Sequence, residues 1–444
     1  MTTVSKARQL DRRLIRLAIP ALGNLAIGPI YVLVDTAIVG RIGTDQLAGL
    51  AIAATVLSLV FISGTSLTYG TTEQVAYRLG AGDRPGAATV GVQSAWIALG
   101  IGIIEAILLA VFASPIVSVF GGRGEVATHA VTYLTISAVG IPFVMLALSI
   151  QGTLRGEADF TSPLAVLAVS NLANLVIELI MVFGLHLGIA GSAWSTVIAQ
   201  VGAGIWFIAQ ALPRFGRASH RYPRWVDMVP LLTAGQHLVI RVAAMLVVAS
   251  GSTAVAARID KPTLAAFQVV GSLFRFVGLS LDALALPVQT LVAERLGRDD
   301  RADAAFVSTR AIRLSIGLGA VMAAITLAAS VFSAPLFSND PGVQSRIAAG
   351  MVWLGIALLP AAIAFTYDGV LIGASDYRFL GRAAVGYLGV MIPIAIAILT
   401  WPSVGIGGIW AGWLVWLMMR AGVNHVRVQR LLGKGSPSLA QPVS

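Results

Sequence analysis

The stretch GTLRGEADF at residues 152–160 recurs as GVLIGASDY at residues 369–377, and this repetition decides the fold. Two further pairs keep the same register: Arg-Leu-Gly at 78–80 recurs at 295–297, and the glycines at 188 and 191 recur at 405 and 408. Every pair is 217 positions apart, so the repeat extends over most of two halves of the chain. A duplicated apolar chain of this size is typical of a transporter built from two similar lobes.

Composition places the chain in a membrane. Of its 444 residues 57% are hydrophobic and 11% are charged, with a mean hydropathy of +0.86, whereas soluble domains carry about 25% charged residues. Apolar runs of about 20 residues cross a bilayer as helices and are too long for barrel strands. We therefore predict an all-α membrane protein with twelve spans. The predicted spans are residues 14–39, 47–76, 88–113, 126–153, 161–184, 188–212, 226–250, 262–288, 306–331, 344–373, 380–400 and 404–426.

The positive charge of the chain indicates its topology. The net charge is +10, and with the N-terminus inside, 23 of the 30 Lys and Arg residues fall in cytoplasmic segments and five in outer loops. This bias is the positive-inside signature of a multi-pass membrane protein. We expect a cell-membrane location with both termini in the cytoplasm and no nucleic-acid partner.

The spans predict two pseudo-symmetric six-helix lobes. The N-lobe covers residues 1–212, a cytoplasmic linker covers 213–225, the C-lobe covers 226–430, and we expect a disordered tail at 431–444. Because six is even, both repeats start on the same side of the membrane, so the duplication is parallel. The turns RLGAGD, LRGEAD, RLGRDD and LIGASD combine glycine with charge, which suits tight reversals inherited from the duplication.

Five acidic residues lie four or more residues inside the ends of predicted spans: Asp35, Glu105, Glu178, Asp282 and Asp368. Each costs about 2.5–3.5 kcal/mol to place at the bilayer centre, so such residues are functional candidates by default. Positions 217 residues away from four of them carry Ser, Ala, Thr and Gln. The charges are therefore specific to one lobe each, which suggests different roles for the lobes. We interpret Glu105, on an otherwise apolar helix, as a packing or interfacial residue.

The N-lobe contains the polar cluster that points more clearly to a binding site. Asn171, Asn174 and Glu178 form one stripe of a helix, and Asp35 follows Tyr31 by four residues on the same face of span 1. Two carboxylates with amide neighbours, sealed from water, can bind a proton or ligate a hard cation through oxygen. We therefore predict a cation-coupling site here; the alternative is that the acids only form hydrogen bonds between helices.

Other polar residues could extend this network. Tyr133, Gln151 and Thr196 are expected to line it or a substrate pocket, although each could equally serve packing. Pro20 removes a backbone hydrogen bond from span 1 and offers a bend point.

The C-lobe carries a second polar set. Arg241 and Arg275 are cations inside spans, and Asp282 and Asp368 are their obvious counter-ions. Pairing would reduce the penalty of burying these charges. An ion-pair lock and a substrate-binding surface both fit this set.

Several chemistries have no support in the sequence. There is no cysteine, no GxxxxGK[ST] phosphate loop, no HExxH and no GxSxG motif, and the five His residues are scattered. We expect a non-enzyme with no cofactor and no resident metal.

Four stretches together resemble multidrug and toxic compound extrusion (MATE) transporters, in particular the DinF-like branch. They are PALGNLAIGPIYVLVDTAIVGRIG (20–43), NLVIELIMVFGLHLGIAGSAWSTVIAQ (174–200), LSLDALALPVQTLVAERLG (279–297) and DGVLIGASDY (368–377). The resemblance implies twelve helices in two six-helix lobes that form a V around a central cavity. It also implies export of organic compounds coupled to H⁺ or Na⁺ entry.

The resemblance assigns expected roles to individual residues. The family's span-1 aspartate falls on Asp35 and its bend proline on Pro20, while its Asn–x₃–Asp pattern falls on Asn174 and position 178, where this chain has Glu178. Asp368 matches the acid that begins the span-10 motif. Arg241 and Asp282 resemble features of the DinF-like branch.

We therefore expect a monomeric cation-coupled antiporter whose substrates are small organic, often amphipathic or cationic, compounds. Cation binding at Asp35 and Glu178 would bend span 1 near Pro20 and expel substrate by alternating access. A flippase for lipid-linked precursors is the competing class, but it predicts a cavity rich in Arg and Lys, and the middle parts of the predicted spans hold only Arg241 and Arg275. A structural or receptor-like protein would explain neither the repeat nor the lobe-specific acids.

Overall fold

A computed structural model describes residues 3–433 and shows them to be almost entirely helical. Short 3₁₀ turns lie at Ala334–Leu336 and Pro402–Val404, and a π-helical turn follows α6 at Ile180–Gly184. The helices are α1 (Thr3–Val39), α2 (Thr44–Gly80), α3 (Arg84–Val119), α4 (Gly124–Ala138), α5 (Ile141–Gly156), α6 (Thr161–Leu179), α7 (Gly188–Phe215), α8 (Trp225–Ile259), α9 (Lys261–Gly297), α10 (Arg301–Ser330), α11 (Pro341–Gly373), α12 (Tyr377–Thr400) and α13 (Gly405–Leu432).

The prediction of twelve spans is confirmed, with one of them broken. Eleven helices of the described chain are long and apolar enough to cross a membrane, and α4 and α5 form a twelfth span bent by 55°. The break lies at Val139 and Gly140, and Pro142 follows in the first turn of α5. Proline cannot donate to the preceding turn and clashes with its carbonyl, so the helix restarts in a new direction.

The helices form two compact units. One unit contains residues 23–235; the other contains residues 236–444 together with 1–22, of which 3–22 and 236–433 are described. The boundaries therefore fall inside α1, just after Pro20, and inside α8. The start of the first helix of each half packs with the helices of the other half.

The start of α1 is held in its unit by charge. Lys6 forms an ion pair with Asp303 at 2.7 Å, Arg13 pairs with Glu294 at 3.1 Å, and a third ion pair joins Asp11 to Arg310.

The repeated stretch owes its glycines to packing rather than to the turn. A Cβ on Gly152 would lie 2.8 Å from the carbonyl oxygen of Thr68, and one on Gly369 would lie 2.5 Å from that of Ala285. Glycine thus allows α5 and α2, and equally α11 and α9, to approach closely, as small residues do between membrane helices.

The four reversals share one backbone geometry. The left-handed residue in them is Gly82, Ala158, Asp299 or Ser375, with φ between 57° and 79°. Positions 82 and 299, like 158 and 375, are 217 apart, so the duplication preserved the turn although three of these residues are not glycine. The expectation of an inherited turn is confirmed, whereas the expectation that glycine supplies the reversal holds only at Gly82.

The C-terminal end of the described chain is helical. α13 continues through Leu432, two residues into the segment that the sequence assigned to a disordered tail. Residues 434–444 of that segment lie outside the described residues.

Candidate functional site

Two acidic side chains from different helices lie together inside the unit formed by residues 23–235. Asp35 comes from α1 and Glu178 from the last turn of α6, and their exposed fractions are 4% and 0%. The two carboxyl groups are close enough to share a hydrogen bond. The sequence prediction that these two acids form one buried pair therefore agrees with the structure.

The two carboxyl groups differ in their partners. Ser192, on α7, donates its hydroxyl hydrogen to Oδ1 of Asp35 over 2.6 Å. By contrast, both carboxyl oxygens of Glu178 are buried and accept no hydrogen bond of good geometry among the described residues, although the Ser192 hydroxyl lies nearby. A buried carboxylate without a donor is expensive, and two neighbouring carboxylates repel each other. A bound proton or other cation would therefore stabilise the pair.

The helix that carries Glu178 changes its winding directly after it. The π-helical turn at Ile180–Gly184 begins two residues beyond Glu178. Wide turns of this kind inside α-helices occur often at functional sites.

Hydroxyl and amide groups surround the acid pair. The Tyr31 hydroxyl is 2.6 Å from Oγ1 of Thr196, and the amide nitrogen of Asn174 lies 3.5 Å from the hydroxyl oxygens of Ser195 and Thr196. Tyr133, 3% exposed, places its hydroxyl beside that of Thr196. The carbonyl oxygen Oδ1 of Asn174 is buried and receives no hydrogen bond in the described chain. The site thus brings carboxyl, hydroxyl and amide oxygen atoms together.

Not every predicted residue belongs to this cluster. Asn171 is half-buried and donates to the carbonyl of Leu167 on its own helix. Gln151 accepts a hydrogen bond from Arg155 at 3.2 Å, which keeps its side chain in a different contact. The structure thus gives these two residues partners outside the acid pair, and their predicted roles stay predictions. Pro20 lies within α1, which is helical on both sides of it.

Two serines of the site escaped the sequence prediction. Ser192 and Ser195 are both fully buried, and together with Thr196 they form one face of α7. The stripe Ser-x-x-Ser-Thr at helical spacing was the available signal. Among many Ser and Thr residues in apolar helices, it did not stand out.

The equivalent position in the other unit holds aromatic rings instead of acids. Ser252 and Trp413, the positions 217 residues after Asp35 and Thr196, form a hydrogen bond from the indole nitrogen to the hydroxyl at 2.9 Å. Trp413 packs edge-on against Phe274 and Trp416, with ring centres 5.3 Å from each. Helices α8 and α13 are thus joined by a side-chain hydrogen bond, as α1 and α7 are, but no acid takes part in it.

The second polar set centres on Asp368 of α11. Its carboxylate accepts hydrogen bonds from Arg241 of α8 at 2.6 Å, from Arg420 of α13 at 2.5 Å and from Asn424 of α13 at 2.8 Å. Asp282 of α9 lies near this cluster and interacts electrostatically with both arginines. Three of the four predicted residues therefore meet, and four helices contribute to the cluster.

Two predictions about arginines are wrong. Arg275 is exposed and donates to Ser272, one turn earlier on α9, so it is not a partner of either acid. Arg420 was counted among the cytoplasmic charges, yet it is 3% exposed, paired with Asp368 and stacked over Trp416 at 4.5 Å. Because Arg420 lies near the end of the predicted span 404–426, the charge count assigned it to the cytoplasmic side of that span.

The fifth acid singled out in the sequence stands apart. Glu105 of α3 accepts a hydrogen bond from Ser63 of α2 at 2.8 Å. The described residues contain no group of three or more His, Cys, Asp or Glu residues arranged to hold a metal ion.

Comparison with known proteins identifies the family. The family model described as MatE matches residues 20–180 and, a second time, residues 238–399. DNA damage-inducible protein F of Escherichia coli is 26% identical over 92% of this chain and 90% of its own length. Multidrug resistance protein PmpM of Pseudomonas aeruginosa is 26% identical over 89% and 86%, and Protein DETOXIFICATION 42 of Arabidopsis thaliana is 27% identical over 96% and 93%.

Solved structures share the fold. A MATE structure in the bent conformation superposes with a TM-score of 0.88 at 20% identity, covering 97% of this chain and 99% of the other. A MOP superfamily transporter from Pyrococcus furiosus gives 0.87 at 18% identity, covering 95% and 96%.

Proposed function

Since this chain belongs to the MatE family of transporters, we propose that it exports small organic compounds, often amphipathic or cationic, and that entry of H⁺ or Na⁺ drives the export. The names of its relatives support efflux, since PmpM is a multidrug resistance protein. The resemblance of span 1 to the family pattern supports the coupling.

One observation carries the coupling. Both oxygens of Glu178 are buried and accept no hydrogen bond of good geometry among the described residues, and the carboxyl group of Asp35 is its neighbour. One bound cation offsets the repulsion between the two carboxylates and binds to the oxygens of Glu178 that accept no hydrogen bond. A proton shared between the carboxyl groups does this. Na⁺ ligated by Asp35, Glu178 and Oδ1 of Asn174 does so as well, since these are hard oxygen ligands.

The energy available from one cation suffices for efflux. One elementary charge that crosses 100 mV is worth about 2.3 kcal/mol, which corresponds to a substrate gradient of roughly 50-fold. In our proposal the cation draws the carboxyl groups together and thereby moves the part of α1 beyond Pro20 against α6 and α7. Alternating access follows when the site is loaded on one side and emptied on the other.

We assign the Asp368 cluster to structure rather than to substrate binding. Asp368 accepts from Arg241, Arg420 and Asn424, so its oxygens are occupied by residues of its own unit. Arg241 and Arg420 each donate a hydrogen bond to that carboxylate. The cluster thus ties α8, α11 and α13 together as an ion-pair lock, which is the first of the two readings that the sequence left open.

The location follows from the same family membership. The chain is a multi-pass membrane protein, and we propose that it acts as a monomer in the cell membrane with both termini in the cytoplasm. The charge bias of the loops supports this orientation.

The test is dye efflux from proteoliposomes with separately imposed pH and Na⁺ gradients. We expect Asp35→Asn and Glu178→Gln to abolish gradient-driven export. Glu105→Gln is the matched control, because it removes an intramembrane carboxylate that lies outside the site, and it should retain export. Undiminished export by Asp35→Asn and Glu178→Gln would refute the proposal.

A further inference from the structure

We propose that the segment between α7 and α8 binds the phosphate headgroups of anionic phospholipids. We call residues 216–226 the linker surface. It presents three arginines and two large aromatic side chains on a backbone that is bonded to α3. The inference is independent of the transport mechanism.

The side chains of Gln93 and Trp96 on α3 hold the backbone of the linker surface by hydrogen bonds. Gln93 is 0% exposed, and both ends of its amide are used: the nitrogen donates to the carbonyl of Tyr222 at 2.8 Å, and the oxygen accepts from the backbone N–H of Arg224 at 2.9 Å. The indole of Trp96 donates to the carbonyl of Arg221 at 2.9 Å. These bonds use the linker backbone, and the side chains of Arg221, Tyr222 and Arg224 remain exposed.

A fourth bond fixes the start of the segment. The backbone N–H of Ser219 donates to the hydroxyl of Thr89 at 3.1 Å. Thr89 and Gln93 are one turn apart on α3, so the linker follows the helix over this distance instead of extending into solvent. Such an ordered loop presents its side chains at low entropic penalty.

The large apolar side chains of the linker surface are mostly exposed in the described chain. Tyr222 is 82% exposed, Trp225 is 70% exposed and Val226 is 74% exposed. Tyr and Trp with one apolar face and one polar tip are enriched at the boundary between headgroups and hydrocarbon. Trp225 occupies the first position of α8, where a membrane-spanning helix enters that boundary.

The charges surrounding these rings are positive. Arg217, Arg221 and Arg224 are exposed. Arg221 donates to the carbonyl of Gly216 and forms no ion pair within the described residues, whereas Arg224 is 3.7 Å from Asp227. Guanidinium groups bind phosphate oxygens in pairs, and the excess of positive charge attracts anionic headgroups more strongly than zwitterionic ones.

Chain connectivity places the linker surface at a membrane boundary. It lies between two helices that are long and apolar enough to span a bilayer, one ending at Phe215 and the next beginning at Trp225. Only nine residues separate these two helices, and their hydrogen bonds to α3 keep them beside that spanning helix. A surface held this close to the ends of membrane spans favours lipid over a soluble acidic partner.

The absence of cysteine from the sequence makes a clean test possible. His220→Cys, exposed in the middle of the linker surface, is labelled with an environment-sensitive fluorophore in the full-length protein. The labelled protein is placed in nanodiscs of phosphatidylcholine alone or with phosphatidylglycerol. We expect a blue shift and quenching by headgroup-labelled lipid when phosphatidylglycerol is present. High salt should weaken both effects.

The variants separate charge from folding. Each arginine near an anionic surface is worth about fivefold in partition, so Arg217→Gln, Arg221→Gln and Arg224→Gln together should reduce local phosphatidylglycerol enrichment on the order of 100-fold. The three corresponding Lys substitutions should retain most of it, which excludes misfolding as the cause. Gln at Arg8, Arg12 and Arg16, exposed arginines of α1, is the matched control and should leave the signal at residue 220 unchanged.

Three results would overturn the proposal. The emission could be the same with and without phosphatidylglycerol, which would mean that the linker surface faces water. The Gln variant could behave like the parent. Finally, soluble glycerol 3-phosphate could produce the shift in phosphatidylcholine discs, which would identify a free phosphate ligand instead of a lipid.

Discussion

Removing one hydroxyl group tests the electrostatics of the acid pair. Ser192→Ala deletes the donor that lies 2.6 Å from Oδ1 of Asp35. Both residues are buried, so water does not readily replace the lost bond. A hydrogen bond to a charged carboxylate contributes about 1.5–3 kcal/mol. Because the hydroxyl stabilises the anionic carboxylate, the variant should hold the coupling cation more tightly.

The magnitude follows from that bond. At about 1.4 kcal/mol per factor of ten, the cation concentration that gives half-maximal dye export should fall about 10- to 100-fold. The assay is export from proteoliposomes over a series of pH values and Na⁺ concentrations. Release of the cation becomes harder, so the maximal rate should fall as well.

A neighbouring serine provides the control. Ser195 is equally buried on the same helix, but it donates to the backbone carbonyl of Ser192 at 2.7 Å and not to a carboxylate. Ser195→Ala should therefore shift the half-maximal concentration by much less than tenfold. An unchanged or higher half-maximal concentration in Ser192→Ala would refute the assignment of Asp35 as the anion that the cation neutralises.

Further predictions concern the C-lobe and the repeat. Asp368→Asn removes the carboxylate that pairs with Arg241 and Arg420 and should destabilise the protein by about 3–5 kcal/mol, seen as a lower thermal midpoint in detergent; an unchanged midpoint with a raised KM for substrate would instead indicate a substrate site. Arg310→Glu should lower the midpoint and Asp11→Arg added to it should restore the midpoint, because the two residues form an ion pair; failure of the double variant to recover would exclude that pair as a stabilising contact. Gly369→Ala should cost about 1–3 kcal/mol by overpacking, since its Cβ would lie 2.5 Å from the Ala285 carbonyl oxygen, whereas Gly386→Ala, with open space around it, should be neutral or stabilising; equal effects of the two substitutions would contradict the packing account.

Sequence periodicity was sufficient for the architecture because the bilayer imposes a length and a polarity on each span. It could not locate the break between α4 and α5, since Ala138 and Ile141 continue one apolar run and only Pro142 marks the bend. It also could not show that α1 and α8 each divide between two compact units.

The candidate site was predictable where charge made it conspicuous. Asp35 and Glu178 stand out because acids in apolar helices are rare, while Ser192 is one hydroxyl among many. Arg420 was misplaced because loop assignment by charge counting presumes that an arginine near a helix end faces water. Buried pairing with Asp368 breaks that presumption.

The central claim is that the buried pair of Asp35 and Glu178 takes up the coupling cation. The most direct measurement is the transient charge displacement after a jump in H⁺ or Na⁺ concentration, recorded from proteoliposomes on a solid-supported membrane without substrate. We predict a transient current in the parent protein and in Glu105→Gln, and its loss in the Asp35→Asn, Glu178→Gln double variant. A transient of undiminished size in the double variant would contradict the account.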